Sequence, residues 1–433
     1  MEELMDHIIT QKSSPGLKSE TVVYVQMKLK YVCLINSDKL PEDKDKAFEF
    51  EYVDIGNVTY EGGIIATETF KFKDAPSRAR RLVRENDIIV STVRTYLRAI
   101  DFIEGRKVNY VYSTGFAVLR PLDFINPKFL SYYIKSATFT NQVDVCAKGM
   151  SYPAINSSEL GDLFVFVPPL EVQTRIANFL DDKCAKIDKA IAQKERLIEL
   201  LKERKQILIH KAVTRGLNPN VKLKDSGVEW IGMVPEGWEV KKVKHLLLER
   251  TERSKDGSEP LLMMSQSHGL VVRSEYHEKS EVAKTSEGAK VVYPDDLVFN
   301  KLKAHLGVFF KSELNIRGIV SPDYAVYYST GLLADLKFLE LLFRGPEYIR
   351  EFICRATGIV EGLIRLYTSD LFAIQVSFPP PAEQLEIIAF ANSVSAKVNR
   401  SINLLHHEIE KVKEYKSSLI DGAVRGELQL GTS

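Results

Sequence analysis

Long apolar runs, paired cysteines and an excess of either charge are all missing from this chain, and each absence narrows what it can be. No stretch of 18 or more apolar residues offers a membrane span, and the first twenty residues lack the charged start, apolar centre and cleavage site of a secretory leader. A cytoplasmic protein with no membrane partner is therefore expected. Cys33, Cys146, Cys184 and Cys354 lie far apart, with neither CxxC spacing nor a nearby His, which argues against a disulfide framework or a zinc site and leaves core packing. A formal net charge of +1 over 433 residues excludes a uniformly basic coat. Catalytic signatures are missing as well: no Walker A, GxGxxG or HExxH occurs. His406 and His407 are adjacent on a helical pattern and point about 100° apart, so they do not chelate one metal. No catalytic residue and no metal ligand is assigned.

What is present is a duplication. VPPLEVQ at 167–173 and FPPPAEQ at 378–384 both precede a long helical pattern, and a shift of 211 residues aligns 167–213 with 378–424 without a gap. Roughly 17 of the 47 aligned positions are identical, against about one in seventeen expected from composition. Each proline pair fixes φ, removes two backbone donors and ends the preceding strand. In the first copy Leu180, Cys184, Ile187, Ile191, Ile198, Leu201, Leu208 and Ala212 follow an alternating step of four and three, interrupted by Lys194 and Lys205. The second repeats it with Ala391, Val398, Ile402, Leu405, Ile409, Val412, Leu419 and Ala423, interrupted by Ser395 and Lys416. A 3.5-residue period held for more than four heptads is a coiled-coil seam, and the twin helix is the nearest partner. A helix of about 40 residues rises about 60 Å, long enough to hold two things apart.

The segments ahead of each helix also correspond. ENDIIVSTVRTYLRA (85–99) parallels PDDLVFNKLKAHLGV (294–308), STGFAVLRP (113–121) parallels SPDYAVYYS (321–329), and AKGMSYPAI (147–155) parallels ATGIVEGLI (356–364). Short Val-, Ile-, Tyr- and Phe-rich stretches broken by Gly, Asn and Asp read as strands. The expected fold is mixed α/β (α+β): two β-rich globular domains and two long helices in an antiparallel coiled coil, related by a pseudo-two-fold repeat. The boundaries read as a tail over 1–20, a first domain over 21–168, a helix over 169–216, a connector over 217–240 pinned by Trp230 and Trp238, a second domain over 241–378 and a second helix over 379–426. Between Lys71 and Lys107 the local charge is roughly +5, with Tyr96 among the cations, as a phosphate-facing surface requires.

The order of two divergent domains, each closed by a PPL.EQ-type entrance and a long helix, with the GVEWIGMVPEGWEV connector and the STGFAVLRP strand, resembles the specificity subunit of type I restriction-modification systems. The second domain opens with VPEGWEVKKVKHLLL; the first opens with TVVYVQMKLKYVCLI and has no Pro-Gly-Trp lead-in. The resemblance implies a non-catalytic chain with two target recognition domains, each reading half of a split site in double-stranded DNA. Its helices would fix the gap and dock two adenine methyltransferase subunits, with restriction (translocase-nuclease) subunits joining that assembly. S-adenosylmethionine, Mg and ATP would then sit on the partner subunits.

DNA readout needs donors and acceptors at groove edges and cations on phosphates. In the first domain Arg78, Arg80 and Arg81, then Arg94, Tyr96 and Arg98, then Lys148, Ser151 and Tyr152 are expected to contact DNA. The matching loops of the second supply Gln266, Ser267 and His268, then Lys301, Lys303 and His305, then Arg365. Two alternatives stay open from residues alone: a metal-dependent nuclease using the PD...DxK pattern of Pro322, Asp323, Asp335 and Lys337, and a coiled-coil scaffold that never meets DNA.

Overall fold

A computed structural model describes residues 11–15, 21–265, 268–276, 288–357 and 365–428. The chain divides into two compact units, Met1–Glu195 with His406–Ser433 and Arg196–Leu405. Eight α-helices occur among the described residues: α1 (Pro127–Lys135), α2 (Ala137–Cys146), α3 (Ser157–Gly161), α4 (Leu170–Arg215), α5 (Lys337–Leu342), α6 (Pro346–Arg355), α7 (Thr368–Ala373) and α8 (Pro381–Val424).

In the first unit an antiparallel sheet runs Ile100–Phe102, Ile88–Ser91, Phe116–Pro121, Cys33–Ile35. IIVS is buried at all four positions, so its unbroken apolar run is a central strand covered on both faces. A second sheet runs Glu68–Lys71, Glu49–Val53, Val111–Ser113, Ala79–Arg81, and a small hairpin pairs Val58–Thr59 with Gly63–Ile64. Thr21–Lys28 pairs with Phe164–Val167, the strand that the proline pair ends. Gln11–Pro15 adds to its other edge, so the segment read as a tail contributes a strand: its backbone donors and acceptors match a free sheet edge.

The second unit repeats this plan. Phe309–Lys311, Leu297–Asn300, Tyr324–Ser329 and Leu247–Glu249 form the equivalent four-stranded sheet, and Glu239–Lys242 pairs with Gln375–Phe378. The acidic turn of each copy has one local cause. Asn86 (φ 70°) and Asp295 (φ 65°) take the left-handed conformation that short polar side chains tolerate. The next residue, Asp87 or Asp296, is buried and accepts from the backbone N–H of Arg84 or Tyr293, both at 2.8 Å. A bidentate arginine completes each site from a different place in the fold: Arg120, on the strand Phe116–Pro121, on Asp87 (2.9 and 2.8 Å) and Arg250, just past the strand Leu247–Glu249, on Asp296 (2.7 and 2.8 Å).

Both entrances turn on one glutamine. Gln173 Oε1 accepts from Asn126 N–H at 2.8 Å while its Nε2 donates to Pro168 C=O at 2.8 Å. Gln384 accepts from Ala334 N–H at 2.9 Å and donates to Pro379 C=O at 2.8 Å. Both side chains are almost fully buried, so each satisfies a loop amide and the carbonyl of the proline that opens its helix.

Within each unit the two long helices run antiparallel. The first core takes Ile176, Ala177, Leu180 and Cys184 from the start of α4 and Leu419, Ile420, Ala423 and Val424 from the end of α8. The second takes Ala212 and Val213 from the end of α4 and Ile387 and Ile388 from the start of α8. Along the first unit's pair Ile409 is buried and Ile187, Ile191 and Val412 are half-buried; in the second Ile198 is buried and Leu201, Leu208, Val398, Ile402 and Leu405 are half-buried. The seam lysines reach equivalent residues on the facing helix: Lys416 pairs with Asp188 at 2.6 Å, and Lys205 donates to Asn399 at 3.3 Å. Lys194 adds an ion pair with Glu408 at 2.5 Å.

The lead-in asymmetry resolves through register. Val25 faces Val167 as Glu239 faces Phe378, which puts Tyr24 in the place of Trp238. Each aromatic lies against the glycine that ends a long helix. A Cβ on Gly426 (φ 73°) would meet the Tyr24 hydroxyl at 2.5 Å, and one on Gly216 (φ 75°) would meet Glu383 Oε1 at 2.7 Å, with Trp238 at 3.7 Å. Trp238 Nε1 donates to that same Glu383 at 3.2 Å, and Trp230 packs edge-on to Tyr348 with ring centroids 5.0 Å apart.

Candidate nucleic-acid interface

Three loops meet at one end of the first unit's sheet that contains Ile88–Ser91 and Phe116–Pro121. The loop after Ile88–Ser91 and the loop 147–155 are tied by Ile155 N–H to Thr92 C=O (2.8 Å), by Thr95 N–H to Pro153 C=O (3.3 Å) and by the Val93–Ala154 bridge. Thr92 N–H also donates to Gly115 C=O at 2.8 Å, and Thr114 N–H to Arg78 C=O at 2.7 Å, so the Arg78 segment joins the same cluster.

Arg94 (φ 53°) and Arg98 (φ 46°) bracket a single 3₁₀ turn, Thr95–Leu97, in the left-handed region. Each such residue costs about 1–2 kcal/mol and persists only where its surroundings over-determine it. Here the Thr95–Pro153 bond and the two turn bonds, Leu97 N–H to Arg94 C=O and Arg98 N–H to Thr95 C=O, hold them. The Arg94 guanidinium lies 5.3 Å from the Tyr152 ring centroid, and Arg98 pairs with Asp144 at 3.1 Å. Tyr96, Ser151 and Tyr152 are exposed. Lys148 is exposed and paired with Glu159 at 2.5 Å, whose carboxyl that lysine, seconded by the Asn156 N–H, holds below its ordinary value. Met150 (104% exposed) and Leu97 stand out on the same loops, and Val145 on the last turn of α2 beside them. They were not anticipated from the sequence, because apolar residues read as core until a structure leaves them outside.

Arg78 is exposed, whereas Arg80 and Arg81 are half-buried at successive positions of a strand, whose side chains point to opposite faces. Arg80 donates to Ala79 C=O at 2.8 Å and lies 5.1 Å from the Phe72 ring centroid. Arg81 is half-buried, burial lowers its guanidinium pKa, and its Nε is enclosed without an acceptor. Both belong to the strand Ala79–Arg81, where pairing with Val111–Ser113 dictates side-chain direction.

The second unit brings the equivalent loops together through Leu366 N–H to Lys301 C=O (3.1 Å) and the Thr357–Arg365 bridge. Lys303, exposed at a kink in the 3₁₀ segment Lys301–Leu306, takes the place of Arg94, and His305 follows in that segment. Lys301 is half-buried, and burial and then Lys290 lower its pKa. Arg365 pairs with Asp323 at 2.9 Å and lies 5.9 Å from the Tyr367 ring centroid. Gln266 and Ser267 lie outside the described residues. His268 sits on a separate hairpin, Leu262–Ser265 with Gly269–Val272, with its ring 5.0 Å from that of Tyr276. The PD...DxK residues serve different ion pairs: Asp323 holds Arg365, Asp335 holds Lys311 at 2.9 Å, and Lys337 holds Glu313 and Glu340. No group of three or more metal-ligating side chains occurs among the described residues.

Residues 22–201 match the family profile of the type I restriction modification DNA specificity domain. The resemblance drawn from the twin entrances and the connector is thereby borne out. The specificity subunit of the type I restriction enzyme EcoKI of Escherichia coli K12 is 24% identical over 323 residues, covering 72% of this chain and 68% of the relative. A chain from a structural study of complex assembly and conformational transition of the type I R-M system superposes with a TM-score of 0.70 at 21% identity, covering 96% of this chain and all of that one. The HsdS subunit of Thermoanaerobacter tengcongensis gives 0.51 at 21% identity, covering 94% and 97%. At that identity the two structures establish the fold, which is the expected one: β-rich domains with long helices. No helix among the described residues is long and apolar enough to cross a membrane.

Proposed function

We propose that this chain is the DNA-reading subunit of a type I restriction-modification complex, each recognition domain reading one half of a bipartite site in double-stranded DNA. The paired helices fix the interval and dock two adenine methyltransferase subunits, which restriction subunits then join. The chain itself is non-catalytic and acts in the cytoplasm; S-adenosylmethionine, Mg and ATP belong to the partner subunits. One observation carries this reading. Both units present a basic loop cluster at the same point of the same sheet topology, fastened by equivalent backbone bonds, while the residues of the two clusters differ. Identical mounts with different tips are what two readers of unlike half-sites require.

The test is to reconstitute the chain with methyltransferase subunits and map methylated adenines across a DNA library. A split motif with a constant gap is expected. Methylation spread over unrelated sequences, or methyl transfer by the purified chain alone, sinks the reading.

A further inference from the structure

The first unit carries a cavity beneath its short hairpin. About 580 Å³ of space lies beneath the hairpin Val58–Ile64, against the end of α1, residues 184–195 of α4 and the last turns of α8. That volume is in the range of small-molecule sites. The hairpin is fixed over it at two points: the Tyr60 hydroxyl donates to Lys135 C=O at 2.9 Å, and Glu61 pairs with Lys413 at 2.9 Å.

The repeat shows which lining charge is unmatched. Lys128-Phe129-Leu130 aligns with Lys337-Phe338-Leu339, so Lys135 corresponds to Arg344 and Ser131 to Glu340. Arg344 is neutralised by Glu340 one turn earlier, at 2.9 Å. Ser131 gives Lys135 no such partner. Of the other lining charges, Lys413 is taken by Glu61 and Lys416 by Asp188, while Glu195 stands exposed at the rim. Asp101, the acid that most favours the charged form of Lys135, is itself held by Lys107 at 2.9 Å. Burial lowers the Lys135 pKa, as for a cation short of a counter-charge. Ile191, Ile420 and Tyr132 supply an apolar wall.

We infer that this cavity binds a small organic anion, a phosphate or carboxylate carried on an apolar body, with the anion on Lys135 and the body against Ile191 and Ile420. The bound anion takes the place that Glu340 fills for Arg344, and it ties the hairpin to the helix pair. Because the ligand binds the folded unit alone, it also stabilises that unit.

Calorimetric titration of the full chain with phenyl phosphate, benzoate and uncharged benzamide tests this. Saturable one-to-one binding of an anion without binding of benzamide is expected, and the tighter of the two anions names the headgroup. Lys135→Met and Ser131→Glu, the second supplying the carboxylate present in the repeat, should each weaken it at least about tenfold. Acetic anhydride labelling of the unaltered chain needs no variant: the bound anion should shield Lys135 and leave Lys303 reactive. No saturable binding of either anion, equal affinity in a folded Lys135→Met chain, or unchanged Lys135 labelling overturns the inference.

Discussion

Arg94 and Arg98 look alike in sequence, yet their surroundings separate them. Arg98 is already engaged by Asp144, so DNA must compete for it, whereas Arg94 rests on an aromatic ring with its charge unspent. Since log affinity falls with log salt in proportion to the phosphates neutralised, the two should weigh differently in a salt titration. Glutamine is the right replacement, because it bears the same left-handed strain as arginine and removes only the charge. In the assembled complex Arg94→Gln should lower the slope by about one unit and Arg98→Gln by clearly less. Equal slopes for both variants, or none changed, would remove Arg94 from the phosphate-facing set. Arg80 and Arg81 show why the sequence could not rank them: charge is visible in a string of letters, but the side of a strand each residue occupies depends on pairing with Val111–Ser113, over 30 residues away.

At the level of elements, the twin entrances were legible because two copies of one solution sit in the same chain. Prolines that stop a strand and a heptad stripe that wants a partner are local signals, and the structure places helices where they fall. What Gln173 and Gln384 do was not legible, although both letters stood in the quoted motifs. Their partners, Asn126 and Ala334, lie 47 and 50 residues upstream, and only the folded loop brings them into reach. Replacing either by leucine strands a buried amide and a buried carbonyl, each worth about 1–3 kcal/mol. Denaturant unfolding of Gln173→Leu and Gln384→Leu should therefore show losses of about 2–4 kcal/mol. Gln173→Glu adds a sign. Burial raises that carboxyl's pKa above its unfolded value, so the variant's stability is fullest in acid and is lost as pH rises through the folded pKa. Leucine variants as stable as the parent would show that the entrances are held by the prolines alone.

Across the whole molecule, the duplication distributes stability in a way no single motif reveals. Each unit closes its own core, and each core draws on the start of one long helix and the end of the other. The sequence could suggest paired stripes, since periodicity is local. It could not show that Tyr24 stands in for Trp238, because unlike side chains fill the same place against a helix-ending glycine. Nor could it show the Lys135 cavity, which depends on a missing carboxylate. Separate cores imply that damage to one need not reach the strands of the other. Phe129, fully buried in the first core, is the place to ask: Phe129→Ala should cost about 3–5 kcal/mol. Hydrogen exchange read by mass spectrometry should then show faster exchange in Ile88–Ser91 and Phe116–Pro121, while Leu297–Asn300 and Tyr324–Ser329 keep the protection of the parent chain. Uniform loss of protection in both sets would mean that the long helices transmit unfolding as a single cooperative transition, and the two units would no longer count as independent mounts for two readers.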